Sequence, residues 1–161
     1  MTSVPITIHH LADHPTHAST LGRWHFAEWS RLMPWWTEQA AIDELAGHTS
    51  RTAVPTTLVA LHDGLPVGSI SLLAHDLPEW PQYSPWLASL YVREDVRGRG
   101  IGAALVDRLI QEAESLELPV LYLFTTNLQE WYARWGWSAV EELTYHGVAG
   151  TIMRRTRSPR G

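Results

Sequence analysis

The 161-residue chain contains no cysteine and no lysine, and all 12 of its basic residues are arginine. Without cysteine it can form no disulfide, no thiolate zinc site and no cysteine nucleophile. No apolar run approaches the roughly 18 residues that span a bilayer, and the N-terminus lacks the basic-then-apolar pattern of a signal peptide. With 45% hydrophobic and 18% charged residues, the composition predicts a soluble, cytoplasmic, globular protein.

The charge is unevenly distributed along the chain. Four arginines fall in the last eight residues, so the preceding 153 residues hold 8 arginines against 17 carboxylates. We expect such a body to repel nucleic acid and to attract cations, including amines. The length predicts one domain, which we place at residues 1–156, followed by a short basic tail at 157–161.

Apolar spacing and turn signals predict a mixed α/β domain. The predicted strands cover residues 6–9, 56–62, 67–74, 86–92, 120–125, 137–145 and 151–156. The predicted helices cover 15–29, 37–47, 101–116 and 127–134. Thr37 and Gly47 have the residue types that cap the second helix, with Ala40, Ala41, Leu45 and Ala46 on its apolar side. Three prolines make 76–85 a loop, and the continuous apolar run at 120–125 predicts a strand that is covered on both faces.

An arginine- and glycine-rich segment, Arg97-Gly98-Arg99-Gly100-Ile101-Gly102, lies between the strand at 86–92 and the helix that begins at 101. Backbone N–H groups in such a loop and at a helix N-terminus form a site for anions, so a phosphate-bearing cofactor is expected. A P-loop is excluded because it needs a lysine. A dinucleotide-binding fold needs an acidic residue after the next strand, where this chain has Thr125-Thr126-Asn127, and too few residues follow for its remaining strands.

The same segment matches the pattern Arg/Gln-x-x-Gly-x-Gly/Ala, and a strand, Asn127 and a Tyr132-x-x-x-Gly136-Trp137 element follow it. In this setting it resembles the pyrophosphate loop of the GNAT superfamily of N-acetyltransferases. The resemblance implies an α/β (mixed α+β) domain. Its central sheet would be mixed and mostly antiparallel, with about seven strands and about four flanking helices. The fourth and fifth strands would be parallel and splayed apart.

The resemblance implies acetyl-CoA as the cofactor, bound where those two strands separate. Backbone groups of the fourth strand would pair with the pantetheine arm, and the Val92 N–H would polarise the thioester carbonyl. The loop amides would hold the pyrophosphate. The implied cofactor-binding residues are Leu90, Tyr91, Val92, Arg97, Gly98, Arg99, Gly100, Ile101, Gly102, Ala103, Asn127 and Tyr132.

The implied activity is transfer of an acetyl group to a primary amine by direct attack in a ternary complex. Tyr132 would act as the general acid for the leaving thiolate. The strand at 86–92 carries no carboxylate to act as the base, so we expect Glu79, or His75 or Asp76 beside it, to relay a proton through water. The alternative function is a non-catalytic sensor or interaction module that binds acyl-CoA with the same fold.

The acceptor would bind near the first helix–helix junction, where the family usually places it. The residues expected there are Trp29, Arg31, Trp35, Trp36 and Trp80. The tryptophans could form an aromatic wall for a cationic amine, whereas Arg31 could select an acidic acceptor, so both classes stay open. The nine histidines form no HExxH-type motif, and we expect no metal site. We expect neither nucleic acid nor membrane as a partner, and a homodimer is one expected state because the family's last strands often pair.

Overall fold

The structure, a computed structural model, describes residues 4–157, which form one mixed β-sheet with helices on both faces. The strands in that range are β1 (Thr7–His10), β2 (Thr56–His62), β3 (Leu65–Leu73), β4 (Trp86–Val92), β5 (Val120–Thr125), β6 (Ser138–Tyr145) and β7 (Val148–Thr156). The α-helices are α1 (Ala18–Trp29), α2 (Glu38–Ala46), α3 (Ile101–Ser115) and α4 (Gln129–Ala133). Of the basic tail predicted at 157–161, residues 158–161 lie outside the described part of the chain.

The sheet has the order β1-β2-β3-β4-β5-β7-β6. Among these strands only the neighbours β4 and β5 are parallel, and the other pairs are antiparallel. The predicted fold class, with its mostly antiparallel sheet and its parallel fourth and fifth strands, is therefore confirmed. A parallel pair needs a crossover connection, and α3 provides it.

The two faces of the sheet are covered by different helices. On one face α3 buries the side chains that recur at helical spacing, Ile101, Leu105, Leu109 and Ala113, against the sheet. On the other face α1 and α2 pack Leu21 and Leu45 against Val59 and Leu61 of β2. The proline-rich loop between β3 and β4 covers the rest of that second face, where Leu77 packs with Trp86, Tyr145 and Ile152. The β4–β5 junction therefore has packed layers above and below it.

Local signals explain most of the element boundaries. Thr37 caps α2 by accepting a hydrogen bond from the Ala40 N–H at 3.0 Å, as predicted. The prediction that Ala40 and Ala46 lie on the apolar side of α2 is wrong, because only the stripe at Ala41 and Leu45 faces the sheet and the two outer alanines are exposed.

Two hairpin strands begin earlier than predicted. Asp63-Gly64 has φ values of 51° and 76°, and His146-Gly147 has φ values of 47° and 82°. Such two-residue turns match the twist of the flanking strands. The strands therefore pair up to the turn, and β3 begins at Leu65 and β7 at Val148.

Strand β5 is less completely covered than its apolar sequence predicts. Leu121 and Leu123 are buried on the α3 side, whereas Tyr122 and Phe124 are only partly buried beneath the proline-rich loop. In residues 4–157 no helix is both long and apolar enough to cross a membrane. In the same range no group of three or more histidine, aspartate or glutamate side chains could hold a metal ion.

Candidate active site

The strands β4 and β5 diverge almost as soon as they meet. Their register contains a single pair, Trp86 with Tyr122, and the Tyr122 N–H also donates to the carbonyl of Pro85 at 2.9 Å. Beyond this point each strand turns a backbone edge toward the other without pairing. The sheet therefore has an internal gap whose walls carry backbone groups that a ligand can use.

A β-bulge in β4 contributes to this divergence. Ser69 pairs with Tyr91 and Ser71 with Ala88, so Ser89 and Leu90 together face the single residue Ile70 of β3. Ser89 has a φ of 56°, which is uncommon for a residue with a side chain. A bulge bends its strand and redirects the side chains near it, and here Ser89 and Leu90 line the gap.

A cavity of about 710 Å³ passes through the gap. Its walls come from both faces of the sheet, including the ends of α1 and β5, part of α2, the loop after β3, and the β6–β7 turn. Its charged or polar lining residues are Glu28, Arg31, Glu44, His75, Asp76, Ser89, Thr125, Thr126, Asn127 and His146. Its aromatic lining residues are Trp29, Trp36, Phe124, Tyr132 and Tyr145. The cavity is large enough for a small organic substrate.

The glycine-rich loop lies beyond the carboxyl end of β4 and leads into α3. Gly98 and Gly100 have φ values of 77° and 85°, a conformation that favours glycine. The N–H of Ala104 bonds to the Gly100 carbonyl, but the N–H groups from Gly98 to Ala103 make no hydrogen bond to any described residue. These six donors at a helix N-terminus form a positive site suited to an anion.

The two loop arginines have different surroundings. Arg97 donates from Nε to the Val92 carbonyl at 2.8 Å, and its guanidinium lies 5.3 Å from the centre of the Tyr91 ring. Arg99 is exposed and forms no ion pair within residues 4–157. Arg97 therefore fastens the loop to the end of β4, while Arg99 extends from it into solvent.

Tyr132 is the buried aromatic residue of α4 that reaches the cavity. It is 5% exposed, and its ring packs 6.2 Å from that of Trp137. Burial raises the pKa of its phenol above the ordinary value, so the hydroxyl holds its proton at neutral pH. That hydroxyl makes no hydrogen bond to a described residue and is available to a ligand.

A buried histidine supports the wall that Trp29 forms. His25 is 2% exposed, and its Nε2 lies 2.9 Å from the Ser69 hydroxyl oxygen. Its ring packs 5.1 Å from Trp29 and 6.4 Å from Tyr91. Burial, with a smaller effect of His48, lowers the pKa of His25 to about 4, so the ring is neutral and packs as an aromatic group.

The predicted site residues fall into three groups. Leu90, Asn127, Tyr132, Trp29, Arg31 and Trp36 line the cavity. Tyr91, Val92 and the loop from Arg97 to Ala103 lie next to it at the end of β4. Trp35, Trp80 and Glu79 are not part of its lining.

The residues outside the lining have other surroundings. Trp35 is 60% exposed and lies 5.1 Å from the His146 ring, whereas Trp80 packs 6.3 Å from the Tyr145 ring. Glu79 is exposed on the proline-rich loop. Its predicted role as base stays a prediction, and His75 and Asp76 on the same loop do line the cavity.

Three carboxylates, those of Glu28, Glu44 and Asp76, line the cavity. Burial, with a further effect of the nearby Glu44, raises the pKa of Asp76 from 3.8 to about 7. Burial also raises the pKa of Glu44. Asp76 can therefore exchange a proton near neutral pH, the range in which a general base is most effective.

Two of these carboxylates were missed by the sequence analysis. Glu28 lies near the end of α1 and Glu44 on α2, and both are at exposed helix positions. Neither belongs to a motif. The packing of α1 against α2 brings both carboxylates into the lining of the same cavity, which no local spacing could have indicated.

Comparison with known proteins agrees with this geometry. The family model described as "Acetyltransferase (GNAT) family" matches residues 15–137, which is more than half of the chain. This match confirms the resemblance drawn from the loop and from Tyr132. A search of curated protein sequences finds no match.

Solved structures share the whole fold. An aminoglycoside 6′-acetyltransferase type Ii is 20% identical with a TM-score of 0.72, over 96% of this chain and 99% of that one. An acyl-CoA N-acyltransferase from Pseudomonas aeruginosa is 27% identical with a TM-score of 0.63, over 96% and 100%. An aminoglycoside 6′-N-acetyltransferase complexed with coenzyme A is 18% identical with a TM-score of 0.69, over 96% and 99%. The likeness to the first and third shows the fold alone.

Proposed function

Because the chain belongs to the acetyltransferase (GNAT) family, we propose that it is an N-acetyltransferase that acetylates a primary amine by direct transfer in a ternary complex. Acetyl-CoA is the cofactor, as the resemblance implied. The observation that carries the proposal is the cavity that passes between β4 and β5. The glycine-rich anion site follows the strand β4 that lines it, and the carboxylates Glu28, Glu44 and Asp76 and the Tyr132 phenol are in its lining.

The described residues fit acetyl-CoA on two grounds. The six N–H donors from Gly98 to Ala103 lack protein acceptors, and phosphate oxygens would satisfy them. The unpaired edges of β4 and β5 offer hydrogen bonds to the amides of a pantetheine arm. Leu90, Asn127 and the arginine Arg99 would hold the molecule along this path. When bound, its thioester supplies the acetyl group to the amine.

The side chains of the cavity account for the proton transfers. An amine nitrogen must lose a proton when it forms the new C–N bond, and the Asp76 carboxylate, with a pKa of about 7, is the group that we propose to accept it. The sulfur that leaves as the C–S bond breaks needs a donor. We assign this to the Tyr132 hydroxyl, which keeps its proton at neutral pH because burial raises its pKa. This donation is a form of general acid catalysis.

A thiol-release assay with a panel of primary amines tests the function. We expect coenzyme A to appear at a rate that depends on the amine, with a matching acetylated product in a mass spectrum. If acetyl-CoA binds by calorimetry but no amine increases thiol release, the chain is the non-catalytic acyl-CoA module instead. If acetyl-CoA does not bind, both functions are excluded.

A further inference from the structure

The part of the cavity lining that comes from α1, the residues after it, α2 and the proline-rich loop is called the acceptor end here, and it carries more negative than positive charge. Glu28 of α1, Glu44 of α2 and Asp76 of the proline-rich loop line it, and Arg31 is the single guanidinium among the described residues that do so. Leaving the histidines uncounted, three carboxylates against one guanidinium give a formal excess of two negative charges when Asp76 is ionised and of one when it is protonated. The sequence left cationic and acidic acceptors open, and this excess favours a cation.

These three carboxylates have no cationic partner in the described part of the chain. The arginine ion pairs there join other carboxylates: Arg51 to Asp13, Arg93 to Asp95, Arg108 to Glu112 and Arg155 to Glu114. The histidine–carboxylate contacts, His10 with Glu112 and His62 with Asp63, also involve other carboxylates. The carboxylates of Glu28, Glu44 and Asp76 accept no hydrogen bond from any described residue. Burial and mutual repulsion raise the pKa of Asp76, which is the condition that a bound cation would relieve.

Aromatic rings enclose the same end of the cavity. Trp29 and Trp36 line it beside the carboxylates. The Trp36 ring is packed 5.9 Å from Phe26, and Trp29 is held by His25 and Tyr91. An ammonium group is attracted to an aromatic face, most strongly to tryptophan. Carboxylates and tryptophans together therefore form surroundings suited to more than one ammonium group.

We propose that the acceptor is a polycationic amine, whose attacked primary amine lies at Asp76 while a second ammonium group is held at the cavity mouth by Glu28 and Glu44. This proposal depends on the proposed acetyltransferase function and narrows it to one substrate class. Linear polyamines and amino sugars with several amines share this chemistry. Arg31 at the same mouth would disfavour an ammonium group placed beside it, which limits where the second charge can lie.

The first test compares acceptors that differ in their second charge. Spermidine is paired with 1-aminobutane, and the aminoglycoside kanamycin with glucosamine, in the thiol-release assay. We expect the polycation of at least one pair to have a kcat/KM about 10-fold above that of its monoamine partner, as two charge-assisted contacts would give. The pair that shows the preference tells whether the substrate is linear or a sugar. Equal kcat/KM values within both pairs would overturn the proposal and leave the acetyltransferase function intact.

The second test removes the two mouth charges. In a Glu28→Gln, Glu44→Gln double variant we expect the polycation-to-monoamine ratio of kcat/KM to fall toward one, mainly through the KM of the polycation. The matched control is Asp43→Asn, which removes one charge from an exposed position next to Glu44 outside the cavity lining, and it should leave the ratio unchanged. If the double variant keeps the wild-type polycation-to-monoamine ratio of kcat/KM, Glu28 and Glu44 do not hold the second ammonium group. If acetyl-CoA binds and no amine of either charge is acetylated, the proposed function itself fails.

Discussion

Replacing Asp76 by asparagine should stabilise the protein and at the same time reduce its activity. The Asp76 carboxyl lies in the cavity without a hydrogen bond or cationic partner in the described chain, and its pKa is raised from 3.8 to about 7. The folded protein therefore binds this proton more tightly than the unfolded chain does. Stability contributed by the protonated form is present below about pH 4 and is lost as the pH rises through 7.

The size of the stabilisation by Asp76→Asn follows from the shift in the pKa of Asp76. One pKa unit corresponds to about 1.4 kcal/mol, so a shift of about three units sets an upper limit of about 4 kcal/mol. Asp76 is partly exposed, and solvent screening reduces this value. We expect Asp76→Asn to raise the free energy of unfolding by about 1 to 2 kcal/mol at pH 8, which is roughly 2–8 °C in Tm for a protein of this size, and to change it little at pH 4.

Thermal unfolding at pH 4 and pH 8 measures the stability, and kcat/KM between pH 5.5 and 8.5 measures the catalytic role. Wild-type kcat/KM should rise through about pH 7, and Asp76→Asn should lower it by about 100-fold, within the usual range for a general base. Glu79→Gln, three residues away on the same loop, tests the other carboxylate. If Asp76→Asn stabilises the protein equally at both pH values, the raised pKa of Asp76 is not the cause of the stabilisation. If Glu79→Gln loses activity and Asp76→Asn does not, Glu79 is the general base.

Three further predictions concern the cofactor side and the sheet. Tyr132→Phe should lower kcat by about 10- to 100-fold while calorimetry shows an acetyl-CoA Kd within about twofold of wild type; an unchanged kcat would remove the phenol from the mechanism. Replacing Arg97 and Arg99 together by glutamine should raise the acetyl-CoA Kd by about 10-fold and weaken its salt dependence, and an unchanged Kd would contradict the loop assignment. Gly150→Ala should destabilise the fold by about 1 to 3 kcal/mol, because a Cβ there would lie 2.4 Å from Phe124 and 2.8 Å from the Thr125 carbonyl oxygen; a denaturant melt that matches wild type would refute this.

The cofactor side of the site could be predicted because its determinants are contiguous. Strand β4, the glycine-rich loop and the start of α3 all lie within residues 86–101. One short sequence pattern therefore contains the strand, the backbone N–H donors of the loop and the helix N-terminus. The bounds of β4 and β5 were predicted correctly because each follows a proline, Pro85 or Pro119, which interrupts regular structure. The role predicted for Tyr132 comes from the resemblance alone, and it stays a prediction.

The proposed acceptor side could not be predicted in the same way. Its carboxylates come from two helices and a loop that are separated by tens of residues, and the charge of Glu28 or Glu44 alone is that of an ordinary solvated helix face. The bulge at Ser89 was also unpredictable, because serine carries none of the preference for positive φ that glycine or asparagine would show. Both features arise from tertiary packing around the gap between β4 and β5.

In the proposed function, the distribution of charge around that gap would give each substrate its own direction of approach. Loop amides and Arg99 lie beyond the end of β4, where they would favour the phosphates of coenzyme A, whereas Glu28, Glu44 and Asp76 line the cavity and would favour an amine. A cation at the loop or a phosphate at the carboxylates would meet like charge, which costs binding energy and excludes the wrong orientation. The two substrates would then meet near Tyr132, so direct transfer needs no acyl-enzyme intermediate. The absence of cysteine from the chain agrees with that route.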